Sequence, residues 1–282
     1  MKYGLQLYSV RDSAAENFEE MLASVAKMGY SFVESAGFFD RTAEQVKKTL
    51  DKNGITLCST HTSFRRVRDE LDETIAFHKA VGCNNIVLPG APIGTVAEID
   101  ELVEVINRAI PKIEAAGMKL HFHNHSKEFI PNADGQIPHD ELAARTKVNF
   151  EIDTFWAFNA GLDPLALLDK YADRVSLIHL KDGIPQDWSN PESRADGKSL
   201  GDGKVPIEAV LNKAKEMGLT VIVESEGLDP CGLDEVERCI RYLKGIFSIN
   251  MKPVNGIDKA GLQDKPDFVF DSLADVDKML FA

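Results

Sequence analysis

Titratable side chains collect at the carboxyl ends of short apolar segments along this chain. Six segments end in this way, at Glu34, His61, His121–His125, Glu151–Asp153, His179–Asp182 and Glu224–Glu226. Positions i and i+2 of a strand face the same side. This spacing places the side chains of three pairs each on one face of a strand: His123 with His125, Glu151 with Asp153, and His179 with Lys181. If these segments are strands that meet at one edge, their side chains converge on a single site.

A divalent metal is the chemistry that such a mixture indicates. Carboxylates buried close together repel one another unless a cation or a proton lies between them. Asp153 and Glu224, together with imidazoles, therefore predict one bound divalent ion. A mixed His and carboxylate set suits Mn²⁺, Zn²⁺, Co²⁺ or Fe²⁺ better than Mg²⁺ or Ca²⁺, which prefer oxygen ligands.

The elements that must position these residues alternate between strand and helix. Short apolar or β-branched runs are separated by amphipathic stretches, the pattern of βαβ units with a parallel sheet. The predicted strands are Tyr3–Val10, Ser31–Ala36, Thr56–His61, Asn85–Pro89, Lys119–His125, Val148–Asp153, Val175–Lys181 and Thr220–Glu224. Eight such units predict an α/β protein with one (β/α)8 TIM barrel. Catalytic groups of that fold lie at the carboxyl ends of its strands.

Glycines and loops mark the limits of the helices. Several amphipathic stretches end in a glycine before the next strand, a typical helix stop: Gly29, Gly54, Gly82, Gly117 and Gly218. No G-x-G-x-x-G follows a strand, which disfavours a dinucleotide-binding fold. Residues Asp182–Gly203 are predicted to form a long irregular loop before a helix at Ile207–Gly218. We assign residues 1–247 to the barrel and residues 248–282 to a C-terminal extension that packs on the barrel or on a partner subunit of a homo-oligomer.

Composition excludes several other classes of protein. The 282 residues are 44% hydrophobic and 27% charged, with a net charge of −13. This acidic balance disfavours nucleic acid and acidic lipid as partners. The N-terminus lacks the features of a secretory signal, and no apolar run approaches the length of a membrane span, so we expect a cytoplasmic protein. The four cysteines are expected to be reduced thiols.

Sequence pieces along the barrel resemble a known family. They are Gly4–Asp12, His123-Asn124-His125, Glu151–Trp156, His179–Asp182, Leu200–Gly203 and Val223-Glu224. Together they are similar to the xylose-isomerase-like barrel superfamily, which contains sugar isomerases, epimerases, inosose dehydratases and type IV apurinic endonucleases. The resemblance extends from residue 4 to about residue 226.

The resemblance implies a set of metal ligands. In the superfamily one metal is usually held by Glu, Asp, His and Glu from strands five to eight. The last three correspond to Asp153, His179 and Glu224. Histidine stands at the strand-five position, so His123 is the expected fourth ligand, with His125 as the alternative. The two-glutamate acid/base pair of ketose 3-epimerases is therefore incomplete.

The resemblance also assigns roles beside the metal. His125 and Lys181 fall where related dehydratases place a histidine and a lysine near the substrate carbonyl, and burial near a cation is expected to lower the pKa of Lys181. With Glu224 and Glu151, they are the predicted catalytic residues. The predicted substrate contacts are His61, Trp156, Glu34 and Glu226. For Lys181, a salt bridge that only braces the site is an alternative.

These residues support two principal reactions on a small-molecule carbohydrate. The first is isomerisation or epimerisation of a keto-sugar or sugar phosphate through an enediolate that the metal stabilises. The alternative is a lyase of the keto-inositol dehydratase or 3-keto-glycoside type, which uses the same enediolate to expel a leaving group. Cleavage of abasic DNA and sugar binding without turnover are less favoured. A phosphate would need a site such as Arg65, Arg66 and Arg68, after strand three.

Overall fold

The computed structural model describes residues 1–245, in which eight parallel strands close into a barrel. Around the barrel their order is β1-β10-β7-β6-β5-β4-β3-β2, and β2 pairs with β1 to complete it. A separate antiparallel pair, β8 and β9, follows β7. The strands are β1 (Gly4–Gln6), β2 (Phe32–Ser35), β3 (Thr56–His61), β4 (Asn85–Leu88), β5 (Lys119–His123), β6 (Asn149–Asp153), β7 (Val175–Leu180), β8 (Asp182–Ile184), β9 (Asp196–Lys198) and β10 (Thr220–Val223). The predicted (β/α)8 barrel is confirmed.

Helices surround the barrel and connect successive strands. They are α1 (Arg11–Glu16), α2 (Phe18–Met28), α3 (Ala43–Asn53), α4 (Phe64–Asp69), α5 (Leu71–Val81), α6 (Val96–Ala115), α7 (Pro138–Arg145), α8 (Thr154–Asn159), α9 (Pro164–Lys170), α10 (Ile207–Met217) and α11 (Gly232–Leu243). Two short 3-10 helices, at Leu7–Val10 and Lys127–Phe129, follow β1 and β5.

Local sequence explains where the helices begin and end. Thr42 and Thr95 form capping boxes with Gln45 and Glu98, so side chains satisfy the first free N–H groups of α3 and α6. All five glycines expected to end helices have a positive φ, from 62° at Gly54 to 101° at Gly29. Residues with a Cβ rarely adopt this backbone conformation, so the prediction that these glycines end helices is confirmed.

The apolar core lies mainly between the barrel and its helices. In α2 the buried side chains are Phe18, Met21, Leu22 and Val25. In α6 they include Ile99, Leu102, Val103 and Ile106. Inside the barrel, by contrast, the end near the strand carboxyl termini is filled by buried polar side chains. Stability therefore comes largely from the helix layer, which leaves the carboxyl end of the barrel available for chemistry.

Three predicted elements differ in the structure. The first strand was expected to reach Val10, but it ends at Gln6, because the Gln6 side chain accepts the N–H of Tyr8 and caps a 3-10 turn. The fifth ends at His123, where the side chain of Glu128 accepts the N–H of His125 at 2.8 Å and turns the backbone out of the sheet. The loop after β7 contains the β8–β9 hairpin, so it is more regular than expected.

The C-terminal extension at residues 248–282 lies outside the described residues, so its packing stays a prediction. Within residues 1–245, no helix combines the length and apolar character needed to cross a membrane.

Candidate active site

The register of the barrel brings the predicted site residues side by side. Gln6 pairs with Glu34 between β1 and β2, and His123 pairs with Glu151 between β5 and β6. Asp153 lies beside His179 in β6 and β7. The convergence expected from strand-end positions is therefore present at the carboxyl end of the barrel, which we call the barrel mouth.

Three of the four predicted metal ligands form one group. Ligand atoms of Asp153, His179 and Glu224 lie within 4.8 Å of one another. His179 Nδ1 is 3.2 Å from Glu224 Oε2 and 3.8 Å from Asp153 Oδ2. Asp153 Oδ2 is buried without a hydrogen-bond partner, and such an oxygen is costly to bury unless something satisfies it. A mixed nitrogen and oxygen donor set with one unsatisfied carboxylate oxygen fits a divalent metal.

His123, the predicted fourth ligand, lies in a second group directly adjoining the first. This group consists of His61, His123, Glu151 and His179, and it shares His179 with the three-residue group. Glu151 Oε2 is at its centre, 3.1 Å from His61 Nε2, 3.2 Å from His123 Nδ1 and 3.3 Å from His179 Nε2. The role of His123 as a ligand stays a prediction.

Lys181 is fully buried among carboxylates. Its Nζ lies 2.6 Å from Glu226 Oε1 and 3.2 Å from Glu224 Oε2, and 4.7 Å from the centre of the Trp156 ring. Burial lowers its pKa, but Glu224, Glu226 and Asp153 outweigh that effect and raise it above its ordinary value. The direction is opposite to the one expected from the sequence, where the carboxylates of Glu224 and Glu226 were not counted as neighbours of Lys181.

His125 and Trp156 form another wall of the mouth. The His125 ring centre lies 5.6 Å from that of Trp156 and 5.1 Å from that of His123. Neither His125 Nδ1 nor Trp156 Nε1 has a hydrogen-bond partner, although both atoms are buried. Burial lowers the pKa of His125 to about 3, which keeps its imidazole neutral. Two polar atoms at the mouth are thus without protein partners.

The other predicted substrate contacts lie at different depths. Glu226 is 31% exposed and His61 10% exposed, whereas Glu34 has no exposed surface. Glu34 Oε1 accepts a hydrogen bond from Gln6 Nε2 and lies 2.6 Å from His179 Nε2. The structure therefore gives Glu226 and His61 an open side, and it gives Glu34 contacts with protein side chains.

Burial and neighbouring charges shift the pKa values of the carboxyl groups in this buried layer in both directions. Burial raises the pKa of Glu151 to about 7, and the nearby Glu34 carboxylate adds to that rise. Burial likewise raises the pKa of Asp153 to about 7, with a further rise from Glu224. For Glu34, the imidazoles of His61 and His179 outweigh burial and lower the pKa to about 2. Perturbed carboxyl groups gathered in one place are typical of functional sites.

Sequence reasoning assigned no role to Gln6 in β1 or to Arg11 at the start of α1. Gln6 is fully buried and donates to Glu34, and Arg11 lies 4.2 Å over the ring of Tyr8 near the backbone of Glu226. The signal was a polar residue between two leucines in Leu5-Gln6-Leu7, which an alternation pattern places inside the barrel.

Comparison with known proteins agrees with this geometry. The model of a family described as "Xylose isomerase-like TIM barrel" matches residues 22–244. The chain belongs to this family. The resemblance inferred from the strand-end motifs is thereby confirmed.

Individual members of the xylose isomerase-like family are distant in sequence. An inosose dehydratase of Geobacillus kaustophilus (strain HTA426) is 26% identical over 189 residues, which are 58% of this chain and 61% of that protein. A 2-oxo-tetronate isomerase of Haemophilus influenzae (strain ATCC 51907) is 23% identical over 235 residues, 74% of this chain and 87% of that protein. Thus the chain aligns with about three fifths of the first relative's length.

Solved structures of the xylose isomerase-like family show the same barrel. A sugar phosphate isomerase/epimerase from Parabacteroides distasonis ATCC 8503 superposes with a TM-score of 0.71 and 26% identity, over 86% of this chain and 93% of that one. The names of these relatives include both a lyase and isomerases. The family assignment therefore leaves the reaction to be argued from the site.

Proposed function

We propose that this chain is a divalent-metal-dependent lyase that dehydrates a keto-polyol or keto-sugar. It removes a proton from the carbon beside the carbonyl and then expels a β-hydroxyl group as water. The observation that carries this proposal is the group of Asp153, His179 and Glu224 with Lys181 Nζ 3.2 Å from one of its carboxylates. An acid group beside a metal-type donor set suits enediolate chemistry.

Asp153, His179 and Glu224 would hold the metal, with His123 as the expected fourth ligand. A divalent ion held by these residues would supply Lewis acidity to the substrate carbonyl. In this proposal His125 accepts the α-proton, since its Nδ1 has no partner in the protein. Lys181 donates a proton to the leaving hydroxyl from an ammonium that Glu224 and Glu226 hold in place. Glu151 and Glu224 remain predicted alternatives as the base.

The choice of dehydration over epimerisation rests on the strand-five position. Epimerisation removes a proton from one face of a carbon and returns a proton to the other face, so it is served by two acid/base groups on opposite sides of the substrate. A carboxylate in place of His123 would have completed such a pair. Elimination needs one base and one acid, which His125 and Lys181 supply in this assignment. The inosose dehydratase relative supports this choice.

Isomerisation or epimerisation is the second candidate, as the same enediolate precedes it. The 2-oxo-tetronate isomerase relative favours it. Cleavage of abasic DNA and sugar binding without turnover have no comparable support. The cytoplasmic location and a homo-oligomer stay predictions.

We propose an unphosphorylated substrate. Arg65 and Arg66, which follow β3, both pair with Glu70, and Arg68 pairs with Asp69 and Glu101. These arginines are therefore already neutralised. The barrel mouth itself contains Glu224, Glu226 and Asp153, whose charges repel a phosphate.

A mass-detected screen tests the reaction. The protein is loaded separately with Mn²⁺, Zn²⁺ and Co²⁺ and incubated with inososes, 3-keto-glycosides, keto-sugars and their phosphates. A dehydratase gives a product lighter than its substrate by one water. A product of unchanged mass favours the isomerase candidate instead, and turnover of phosphates alone contradicts the proposed substrate class.

A further inference from the structure

The two ring nitrogens of His179 face different surroundings. Nδ1 is directed to Glu224 and Asp153, which are members of the three-residue group. Nε2 lies 2.6 Å from Glu34 Oε1, on the opposite side of the ring. Because β2 and β7 are not neighbours in the barrel, this contact crosses the barrel interior. Glu34 therefore holds a predicted metal ligand from the far side.

Hydrogen-bond direction can be followed from the backbone to this contact. The N–H of Tyr8 can only donate, so the Gln6 side-chain atom that it meets at 3.1 Å is the amide oxygen. The amide nitrogen of Gln6 then points the other way and donates to Glu34 Oε1 at 2.6 Å. Because a carboxylate oxygen can accept more than one hydrogen bond, Glu34 Oε1 can still accept a second one.

Two imidazole nitrogens approach Glu34 Oε1, His179 Nε2 at 2.6 Å and His61 Nε2 at 3.2 Å. Because a carboxylate oxygen only accepts, the shorter contact indicates a hydrogen on Nε2 of His179. A neutral imidazole with hydrogen on Nε2 carries its lone pair on Nδ1, which is the nitrogen that faces Asp153 and Glu224. Metal-binding histidines commonly donate their other N–H to a carboxylate, which fixes the orientation of the ring. Gln6, Glu34 and His179 match this arrangement, and each is fully buried.

We propose that Glu34 is a positioning residue for the metal site, held by Gln6, that presents Nδ1 of His179 to the metal. The inference rests on the metal site of the proposed function. It does not depend on which sugar is the substrate or on whether water is lost. A competing arrangement is a second metal ion in the group of His61, His123, Glu151 and His179, which would need Nε2 itself as a ligand.

Titration of the metal-free protein with Co²⁺, followed by visible absorption, tests the proposal without any substrate. Glu34→Ala should weaken Co²⁺ binding by about 10- to 100-fold, the usual effect of losing such a partner. Glu34→Gln keeps an oxygen that can accept Nε2–H, so it should retain most of the affinity. Gln6→Met removes the donor that holds Glu34 and should fall between these two variants.

A matched control is Glu235→Gln, which changes a buried carboxylate that bonds to Ser199 and Ser225 and does not contact His179. Its Co²⁺ affinity should stay within about twofold of the unchanged protein.

A second measurement is ¹⁵N-resolved NMR of the Zn²⁺-loaded protein, which should show a slowly exchanging Nε2–H on His179 when one equivalent of metal is bound. The Nε2–H signal should broaden or vanish in Glu34→Ala. If Glu34→Ala does not fold, the Glu34→Gln and Gln6→Met titrations and the NMR spectrum still decide.

Equal Co²⁺ affinity in all the variants would overturn the proposal, as would two equivalents of metal with no hydrogen on Nε2. Failure of the unchanged protein to bind Co²⁺ or Zn²⁺ would overturn both this proposal and the proposed function. Normal metal binding with the expected variant effects, but without turnover of any keto compound, would overturn the proposed function alone.

Discussion

Glu224 has contacts with both halves of the proposed machinery. Its Oε2 lies 3.2 Å from His179 Nδ1 and 3.2 Å from Lys181 Nζ. In the proposed function it is thus the residue at which metal binding and proton transfer would meet.

Glu224→Gln should reduce turnover by at least about 10²-fold and weaken metal binding, because it removes the charge of a predicted ligand. The metal-free fold should survive, since Lys181 keeps its contact with Glu226 at 2.6 Å. Steady-state kinetics, Co²⁺ titration and thermal unfolding measure these effects. Glu226→Gln is the matched control and should leave metal affinity nearly unchanged. A large loss of stability in metal-free Glu224→Gln would indicate a structural residue.

Lys181→Met and His125→Ala should each reduce the rate by about 10²-fold or more, as expected for a positioned acid or base. Metal affinity should change little in His125→Ala. In Lys181→Met it should not fall, because the ammonium that contacts Glu224 is removed. Lys127→Met, in the turn after β5, serves as a control with near-normal rate. A variant that loses its metal, or that keeps its full rate, contradicts this division of roles.

At the scale of elements, the side chain of Asp182 anchors both ends of the segment after β7. The carboxylate of Asp182 accepts four backbone N–H groups, those of Gly183, Gly201, Gly203 and Val205, at 2.8 to 3.1 Å. A Cβ at Gly203 would collide with this carboxylate, so only glycine allows the approach. Because Lys181 directly precedes Asp182, the same anchor fixes the end of β7.

Asp182→Asn should destabilise the protein by about 1–3 kcal/mol, because an amide cannot accept at both of its ends and leaves buried N–H groups unsatisfied. Urea unfolding measures the loss, and proteolysis should cut residues 184–196 faster. Asp187→Asn alters an exposed carboxylate of the same segment and should change stability by less than about 0.5 kcal/mol. Equal effects of the two substitutions would show that Asp182 is not the anchor.

Most of these elements could be predicted from the sequence, for identifiable reasons. Periodicity and glycine stops depend on neighbouring residues, so the strand at Thr56–His61 and the helix at Ile207–Met217 were found almost to the residue. The early ends of β1 and β5 depend on side-chain acceptors, Gln6 and Glu128, which a period-two pattern does not reveal. The β8–β9 hairpin depends on Asp182 meeting amides about twenty residues later.

At the scale of the whole molecule, a buried histidine far from the mouth couples stability to pH. His139 lies among the rings of Phe129, Phe150 and Tyr171, and burial lowers its pKa to about 3. The unfolded chain binds a proton near the ordinary pKa of about 6.5, whereas the folded protein does not. Its contribution is therefore complete above about pH 6.5 and is lost progressively as the pH falls towards 3.

His139→Phe should remove this contribution, which is worth roughly 1 kcal/mol per pH unit below pH 6.5. The free energy of unfolding should then fall less steeply between about pH 6.5 and pH 5 than in the unchanged protein. Tyr171→Phe removes the hydroxyl that meets His139 Nδ1 at 3.3 Å but keeps the imidazole, so its slope should remain. Identical slopes in all three proteins would rule out His139 as the source.

The site was predictable to the extent that strand ends converge in a closed barrel. Asp153, His179 and Glu224 were named together from the sequence, and the structure gathers them. The distance of each side chain from the barrel mouth could not be predicted, since the alternation of residues shows only which side of the strand a side chain is on. Glu34 was predicted to contact the substrate; the structure buries its side chain fully against His179, and the substrate contact stays a prediction.

Solvent deuterium exchange tests the central claim most directly, namely that this barrel uses a metal to remove a proton beside a carbonyl. The metal-loaded protein, the chelator-treated protein and Glu224→Gln are each incubated in D₂O with inososes and 3-keto-glycosides, and the remaining substrate and product are analysed by mass spectrometry and NMR. We predict that only the metal-loaded protein introduces deuterium at the α-carbon of the substrate, or forms a product that has lost its α-hydrogen and its β-hydroxyl as water. The account is contradicted if no C–H of any keto compound exchanges or is lost, or if exchange proceeds equally after the metal is removed.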